Sequence, residues 1–271
     1  MRVAIFQGPA GPGDVPSRLE LLAGRARQAA AQGAGLLICP EMYLTGYAIG
    51  AEAARRLAEP ADGPSAGTAA GIARSAGIAL LYGFPEAAAG KVYNAASLVA
   101  ADGRRLVTYR KSHLFGDLDR GMFAAGDQEL RPVDLGGLKL GVLICYDVEF
   151  PENVRRWALA GADFVAVPTA LMQPYDFVAR TLVPARAYEN QVFLAYANRC
   201  DRERDLAYLG LSCIVAPDGS DLARAGRGEE MILADIDPAS MAESRRLNTY
   251  LADRRPELYG TLAARREEGS A

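Results

Sequence analysis

The chain has four cysteines and a single histidine in 271 residues, so any thiol chemistry has little imidazole to draw on. Three residues of catalytic type share one setting. Glu41 follows the apolar run GLLICP, Lys111 follows LVTYR, and Cys145 ends LGVLI. Each stands where an apolar strand gives way to a loop. Sites in α/β folds collect at such ends, because the sheet fixes the backbone while the loop leaves the side chain accessible. The thiolate is the reactive form of cysteine, and a free thiol is mostly protonated at neutral pH. A carboxylate whose pKa is raised by burial can take that proton. A neighbouring ammonium favours the thiolate and can hold an oxyanion. Glutamate, lysine and cysteine thus form a complete nucleophilic set without histidine, provided that the fold brings them together.

The remaining candidates compete with blander readings. Cys39, Cys200 and Cys213 lie in apolar runs with no partner motif and read as core thiols. His113 stands two residues after Lys111, so a continuing strand would point both side chains to one face. Because the set is complete without it, His113 reads as a supporting or structural residue rather than the base. Asp147 and Glu149 flank the end of the Cys145 strand. They suit capping of a helix start, or positioning of the site loop or a substrate amine.

The elements that must position these residues alternate between two periods. RVAIFQ (2–7) reads as strand. Residues 17–33 read as a helix with Ser17 as N-cap, Glu20 completing a capping box and Gly33 at the C-terminus. Strands are expected over 34–41 and 78–86, with a helix over 64–77 between them. Residues 91–111 read as two strands joined at Asp102–Gly103, a strong hairpin signal. A strand ending at Cys145 is followed by a helix over 151–162 with Pro151 at its first position. Strand 163–170 leads to a helix over 175–191 that Pro184 should kink or break. Strands follow over 192–199, 210–219 and 231–237, then a short helix over 238–247. The second and third of these strands echo the 91–111 unit as another β-Asp-Gly-β pattern. Runs such as LLIC, GVLIC and DFVAV are apolar throughout, as in sheets covered on both faces. These features indicate one α/β domain over residues 1–260 and a polar tail over 261–271.

Composition removes several functions. The net charge of −3 offers no basic surface for a nucleic acid or an anionic membrane. No run approaches the length of a membrane span, and the first apolar stretch is too short for a signal peptide. Scattered thiols without a CxxC pair fit a reducing, cytoplasmic setting and supply no zinc site. No cofactor or metal is expected.

Three ordered motifs, CPEMYLTGY (39–47), YRKSHLF (109–115) and GVLICYDVEFPE (141–152), together resemble the signatures of the nitrilase, or carbon–nitrogen hydrolase, superfamily. ARAYENQVFLAYANR (185–199) and GLSCIVAPDG (210–219) add to the likeness, which covers about residues 1–260. The resemblance implies a four-layer αββα sandwich that pairs into a homodimer or higher homo-oligomer. It implies Glu41 as general base, Lys111 as transition-state stabiliser, Cys145 as nucleophile, and the Tyr146 backbone N–H as oxyanion donor beside Lys111. Many members carry a second glutamate eight residues after the lysine. Here that position is Asp119, one methylene shorter. Tyr47, Thr169, Ala170 and Leu171 are implied as pocket residues. The reaction implied first is hydrolysis of a small carboxamide, as in the small bacterial amidase branch. An N-carbamoyl hydrolase is the alternative, with Arg180 and Arg186 available for a substrate carboxylate. A nitrilase comes third, since tryptophan more often stands where Tyr146 does. A catalytically silent interaction module is the reading from a different class.

Overall fold

The computed structural model describes residues 1–9 and 14–260, so the polar tail expected over 261–271 lies outside the described residues. The chain runs β1 (Arg2–Gln7), α1 (Val15–Ala31), β2 (Leu36–Ile38), α2 (Ala51–Leu57), α3 (Pro64–Ala76), β3 (Ala79–Ala88), β4 (Lys91–Val99) and β5 (Arg105–Arg110). It continues through α4 (Gly116–Arg120), β6 (Val133–Leu135), β7 (Leu138–Val142), a 3₁₀ turn Cys145–Glu149, α5 (Pro151–Leu159) and β8 (Phe164–Pro168). A π-helical turn Val178–Leu182 leads into α6 (Val183–Asn190), then β9 (Phe193–Ala197) and a small hairpin of β10 (Arg202–Glu203) and β11 (Leu206–Ala207). β12 (Cys213–Val215), β13 (Asp221–Arg224), β14 (Glu230–Asp235), α7 (Pro238–Leu247) and a 3₁₀ turn Pro256–Leu258 follow.

Among the described residues there are two six-stranded sheets, ordered β14-β1-β2-β3-β4-β5 and β13-β12-β9-β8-β7-β6. The first sheet shows why its strands look apolar throughout. Val3, Ile5, Leu36, Ile38, Ala79 and Leu81 join one core with the second sheet. Their alternating neighbours Ala4, Phe6, Leu37, Cys39, Leu80 and Tyr82 pack instead with Leu19, Leu22 and Ala26 of α1 and with Ala69 and Ala73 of α3. α5 and α6 cover the second sheet through Val154, Trp157, Val183 and Ala187. The result is the expected helix–sheet–sheet–helix layering. Each fully buried aliphatic side chain contributes about 2 kcal/mol. Burial on both faces therefore holds a strand as short as β2, where propensity alone would not.

Local signals decide most boundaries. α3 starts at Pro64 and ends at Gly77, which adopts φ +67° as a left-handed cap. α5 likewise starts at Pro151. α1 departs from expectation. Its N-cap is Asp14, whose side chain accepts from Ser17 N–H at 2.8 Å, so Ser17 lies inside the first turn and no capping box with Glu20 forms. Aspartate caps as well as serine, and Pro16 fits the first turn, so the helix begins earlier. At Pro184 the break takes the form of the π turn that precedes α6, which absorbs the missing N–H. The second β-Asp-Gly-β pattern is also not one hairpin. β12 pairs with the short β13 across Asp218–Gly219, whereas β14 leaves that sheet and lies antiparallel to β1, Arg2 opposite Asp235.

Two glycines let helix and loop approach the sheets closely beneath the candidate residues. A Cβ on Gly141 of β7 would sit 2.6 Å from the Trp157 ring of α5. A Cβ on Gly83 of β3 would sit 2.3 Å from Met42 N and 2.9 Å from Glu41 C. By contrast a Cβ on Gly71, inside α3, meets nothing within 4 Å. The two sites predict opposite outcomes for the same substitution. Gly83→Ala should cost about 2 kcal/mol by overpacking, roughly 6 °C in Tm. Gly71→Ala should raise Tm by about 2 °C through helix propensity. Thermal melts of both variants check this, and shifts of the same sign would show that the approach at Gly83 relaxes freely.

Candidate active site

Glu41 lies three residues beyond β2, on a loop fastened from several directions. Its N–H donates to Thr169 O at 3.3 Å, and Leu44 N–H donates to Gly83 O at 3.1 Å. Arg199, buried after β9, donates from Nη1 to Glu41 O at 3.1 Å. Glu203 receives the N–H groups of Tyr47 and Ala48 and the Tyr208 hydroxyl. The tight path shows at Met42, which holds φ +50°.

Lys111 follows β5, its N–H donating to Asn94 O of β4 at 2.8 Å. Its ammonium is fully buried and donates to Glu41 Oε1 at 2.8 Å and to Asp119 Oδ2 at 2.6 Å. Asp119, in α4, also accepts from the Tyr47 hydroxyl at 2.8 Å and from Phe115 N–H at 2.9 Å. The shorter side chain therefore reaches the lysine directly, with no bridging water. Asn94 donates from Nδ2 to Glu41 Oε1 at 2.6 Å. The other carboxylate oxygen, Oε2, is buried and has no hydrogen-bond partner among the described residues.

Cys145 follows the strand end and opens the 3₁₀ turn with φ +47°, a left-handed conformation that a non-glycine residue adopts at a cost. Asp147 holds this turn. Its Oδ2 accepts from Ile144 N–H at 3.1 Å and from the Tyr109 hydroxyl at 3.0 Å. Its Oδ1 accepts from Ser112 Oγ and His113 N–H, each at 2.8 Å. His113 belongs to this support. Its Nδ1 lies 3.1 Å from Asp147 Oδ1, and its ring stacks on Phe150 at 4.1 Å. β5 ends at Arg110, so strand alternation does not carry past Lys111, and Lys111 and His113 take different partners.

A cavity of about 220 Å³ opens over Cys145. Tyr47, Phe115, Tyr146 and Tyr175 supply aromatic walls, while Glu149, Ala170, Leu171 and Met172 complete the lining beside the thiol. Thr169 stays behind the wall, fully buried, its Oγ1 donating to Tyr196 Oη at 3.0 Å. A hollow of about 270 Å³ beside Thr108, Gln128 and Trp157 has no cysteine in its lining.

Burial governs the titration of the cluster. It raises the Glu41 carboxyl above the ordinary range, with Lys111 working in the opposite direction. Burial disfavours the Lys111 ammonium, but its neighbours, Glu41 foremost and Asp119 among them, outweigh it and hold its pKa well above the usual value. The Cys145 thiol is pushed well up by burial and by Glu41, while Lys111, the Thr169 hydroxyl and the Ala170 N–H draw it back. At rest the site therefore holds a protonated thiol beside a fixed cation. Burial also pushes Cys200 and Cys213 up to about 12. Access, not acidity, sets Cys145 apart.

Sequence reasoning missed Asn94, Arg199 and Glu203. Asn94 left a signal, a lone amide in the apolar run VYNAAS.

The chain from residue 2 to residue 246 matches the family model for carbon-nitrogen hydrolases. It is 55% identical to the hydrolase of the pqqF 5′ region of Pseudomonas protegens, over 98% of this chain and 93% of that one. It is 40% identical to an (R)-stereoselective amidase of a Pseudomonas species, over 83% and 81% of the two chains. An amidase from Nesterenkonia, solved as a glutamate-to-glutamine variant with acrylamide added to its active-site cysteine, superposes with a TM-score of 0.83. That comparison has 35% identity and covers 97% of this chain and 99% of the other. Motifs, layering and the buried cluster agree with these likenesses: the chain belongs to the carbon–nitrogen hydrolase family.

Proposed function

We propose that this protein is a cysteine-dependent amidase that converts a small carboxamide to a carboxylic acid and ammonia. The observation that carries the reading is the buried Glu41–Lys111 pair, with Glu41 Oε2 unpartnered, together with Cys145 in the wall of a small cavity. Glu41 Oε2 takes the Cys145 proton as Sγ attacks the carbonyl carbon. Lys111 Nζ and the Tyr146 N–H hold the oxyanion. Collapse breaks the C–N bond, Glu41 returns the proton to the leaving nitrogen, and ammonia departs from a thioester. Glu41 then takes a proton from water, the hydroxide attacks the thioester, and the proton passes to the departing sulfur. Covalent catalysis divides one difficult step into two. Asp119 positions Lys111 and helps keep it charged, and Tyr47 positions Asp119.

The similarities support this choice of reaction, since amidases stand among the relatives and the structural neighbours. The carbamoyl hydrolase reading loses its arginines. Arg186 donates to Val148 O and Glu149 O and pairs with Glu189, and Arg180 is exposed. No helix among the described residues is long and apolar enough to cross a membrane, which accords with a cytoplasmic site of action. The core shared by both sheets supports a single hydrolase domain over residues 1–260. Exposed Leu159, Tyr188 and Tyr250 support assembly into a homodimer or larger homo-oligomer.

Ammonia release from a panel of small amides, carbamoyl amino acids and nitriles tests the reading. Amides should be turned over fastest. Cys145→Ala should abolish turnover with Tm within a few °C, and substantial residual hydrolysis would mean another nucleophile. The pH profile tests the base. Glu41 acts as a carboxylate, so its protonation as pH falls removes activity. Because burial raises its pKa, the acid limb of kcat/KM should lie above the ordinary glutamate value of about 4.3. A limb at or below that value would exclude Glu41. His113→Asn should keep measurable hydrolysis with a modestly lowered Tm, whereas complete loss in a folded protein would make His113 the base.

A further inference from the structure

The cavity over Cys145 contains a carboxylate that the hydrolytic steps do not use. We propose that Glu149, with the aromatic walls around it, is a cation site, and that the preferred substrate is a small α-amino carboxamide whose ammonium Glu149 holds. This rests on the amidase reading and names its substrate class.

Glu149 has no local structural task. Capping and bracing of the turn fall to Asp147, which engages Ile144, Tyr109, Ser112 and His113. α5 has no side-chain cap at all. No described donor bonds to the Glu149 carboxylate, and its backbone oxygen is what Arg186 takes, at 2.8 Å. Glu149 is the one carboxylate in the cavity lining.

The surroundings favour a cation. Phe115 meets Tyr146 edge to face at 5.3 Å and Tyr175 at 6.0 Å, so the rings form corners instead of a flat stack. Aromatic faces attract ammonium groups that have left water. The fixed charges point the same way. The Lys111 cation is shared between Glu41 and Asp119, and Arg186 is paired with Glu189. With Glu149 added, the pocket carries a net negative charge, which repels a substrate carboxylate. Burial raises the Glu149 carboxyl, with Lys111 and Arg186 acting against that rise, and a bound ammonium would add to the stabilisation of its anion.

Alaninamide and isobutyramide differ by an ammonium in place of a methyl group, and the ratio of their kcat/KM values is the test. At pH 7, where the α-amine is largely protonated, the ratio should be about ten or more in the unaltered protein. Glu149→Gln should bring it close to one. In the unaltered protein the ratio should also fall as pH rises through the substrate amine's pKa near about 8, a reading that needs no variant. A ratio near one in the unaltered protein, a preference that survives Glu149→Gln, or a ratio indifferent to that pH rise overturns the cation site while leaving the amidase intact. If the folded protein releases ammonia from neither amide, the amidase reading fails and this inference falls with it.

Discussion

A fully buried ammonium between two carboxylates is the constraint on which the rest of the structure depends. Removing Lys111 from water costs several kcal/mol, and a solitary buried lysine would lose its proton. Glu41 and Asp119 prevent that, at 2.8 and 2.6 Å. The dependence runs both ways, because without Lys111 the two carboxylates would face one another in a dry interior. The elements supplying these groups must meet to a fraction of an ångström. That need accounts for Gly83 against the Glu41 loop, the Asn94 amide on Glu41, and Arg199 and Glu203 holding the loop from much later in the chain. A polar cluster this deep is stable only when most of its members are satisfied, and Glu41 Oε2, which has no hydrogen-bond partner among the described residues, is the atom that the chemistry would use.

The turn at Cys145 solves a different problem. A strand would point the residue after its end in a direction set by the pleat. The left-handed Cys145 backbone breaks that pattern and turns the thiol to the cavity. Such strain persists only where surrounding bonds enforce it, and Asp147 gathers four donors for the purpose. The lone histidine finds its place here, as part of the clamp on the turn.

Much of this was legible from residue types and order. Layering followed from strands apolar on every position, since both faces of such a strand must be covered. Glu41, Lys111 and Cys145 stood out as reactive groups at strand ends. What could not be read was pairing at a distance. The true N-cap of α1 was hidden because Asp14 and Ser17 are equally capable caps. The crossing of β14 to the first sheet was hidden because a β-Asp-Gly-β pattern looks the same whether its halves pair or part. Asp119's direct reach to Lys111 depends on α4, a five-residue helix whose placement comes from its packing. The division of labour between Asp147 and Glu149 could be decided only by seeing which carboxylate the backbone had already claimed.

That late crossing has a consequence for how the protein comes into being. β14 completes the first sheet beside β1 with residues more than two hundred positions apart, Arg2 opposite Asp235. During synthesis β1 therefore waits with one edge open until almost the whole chain has emerged. Pairings of such long range are slow to form, and open edges invite association with other chains. The order of the genetic message thus leaves a window in which the first sheet is exposed. Its length depends on the rate of translation and on how fast this long-range pairing forms.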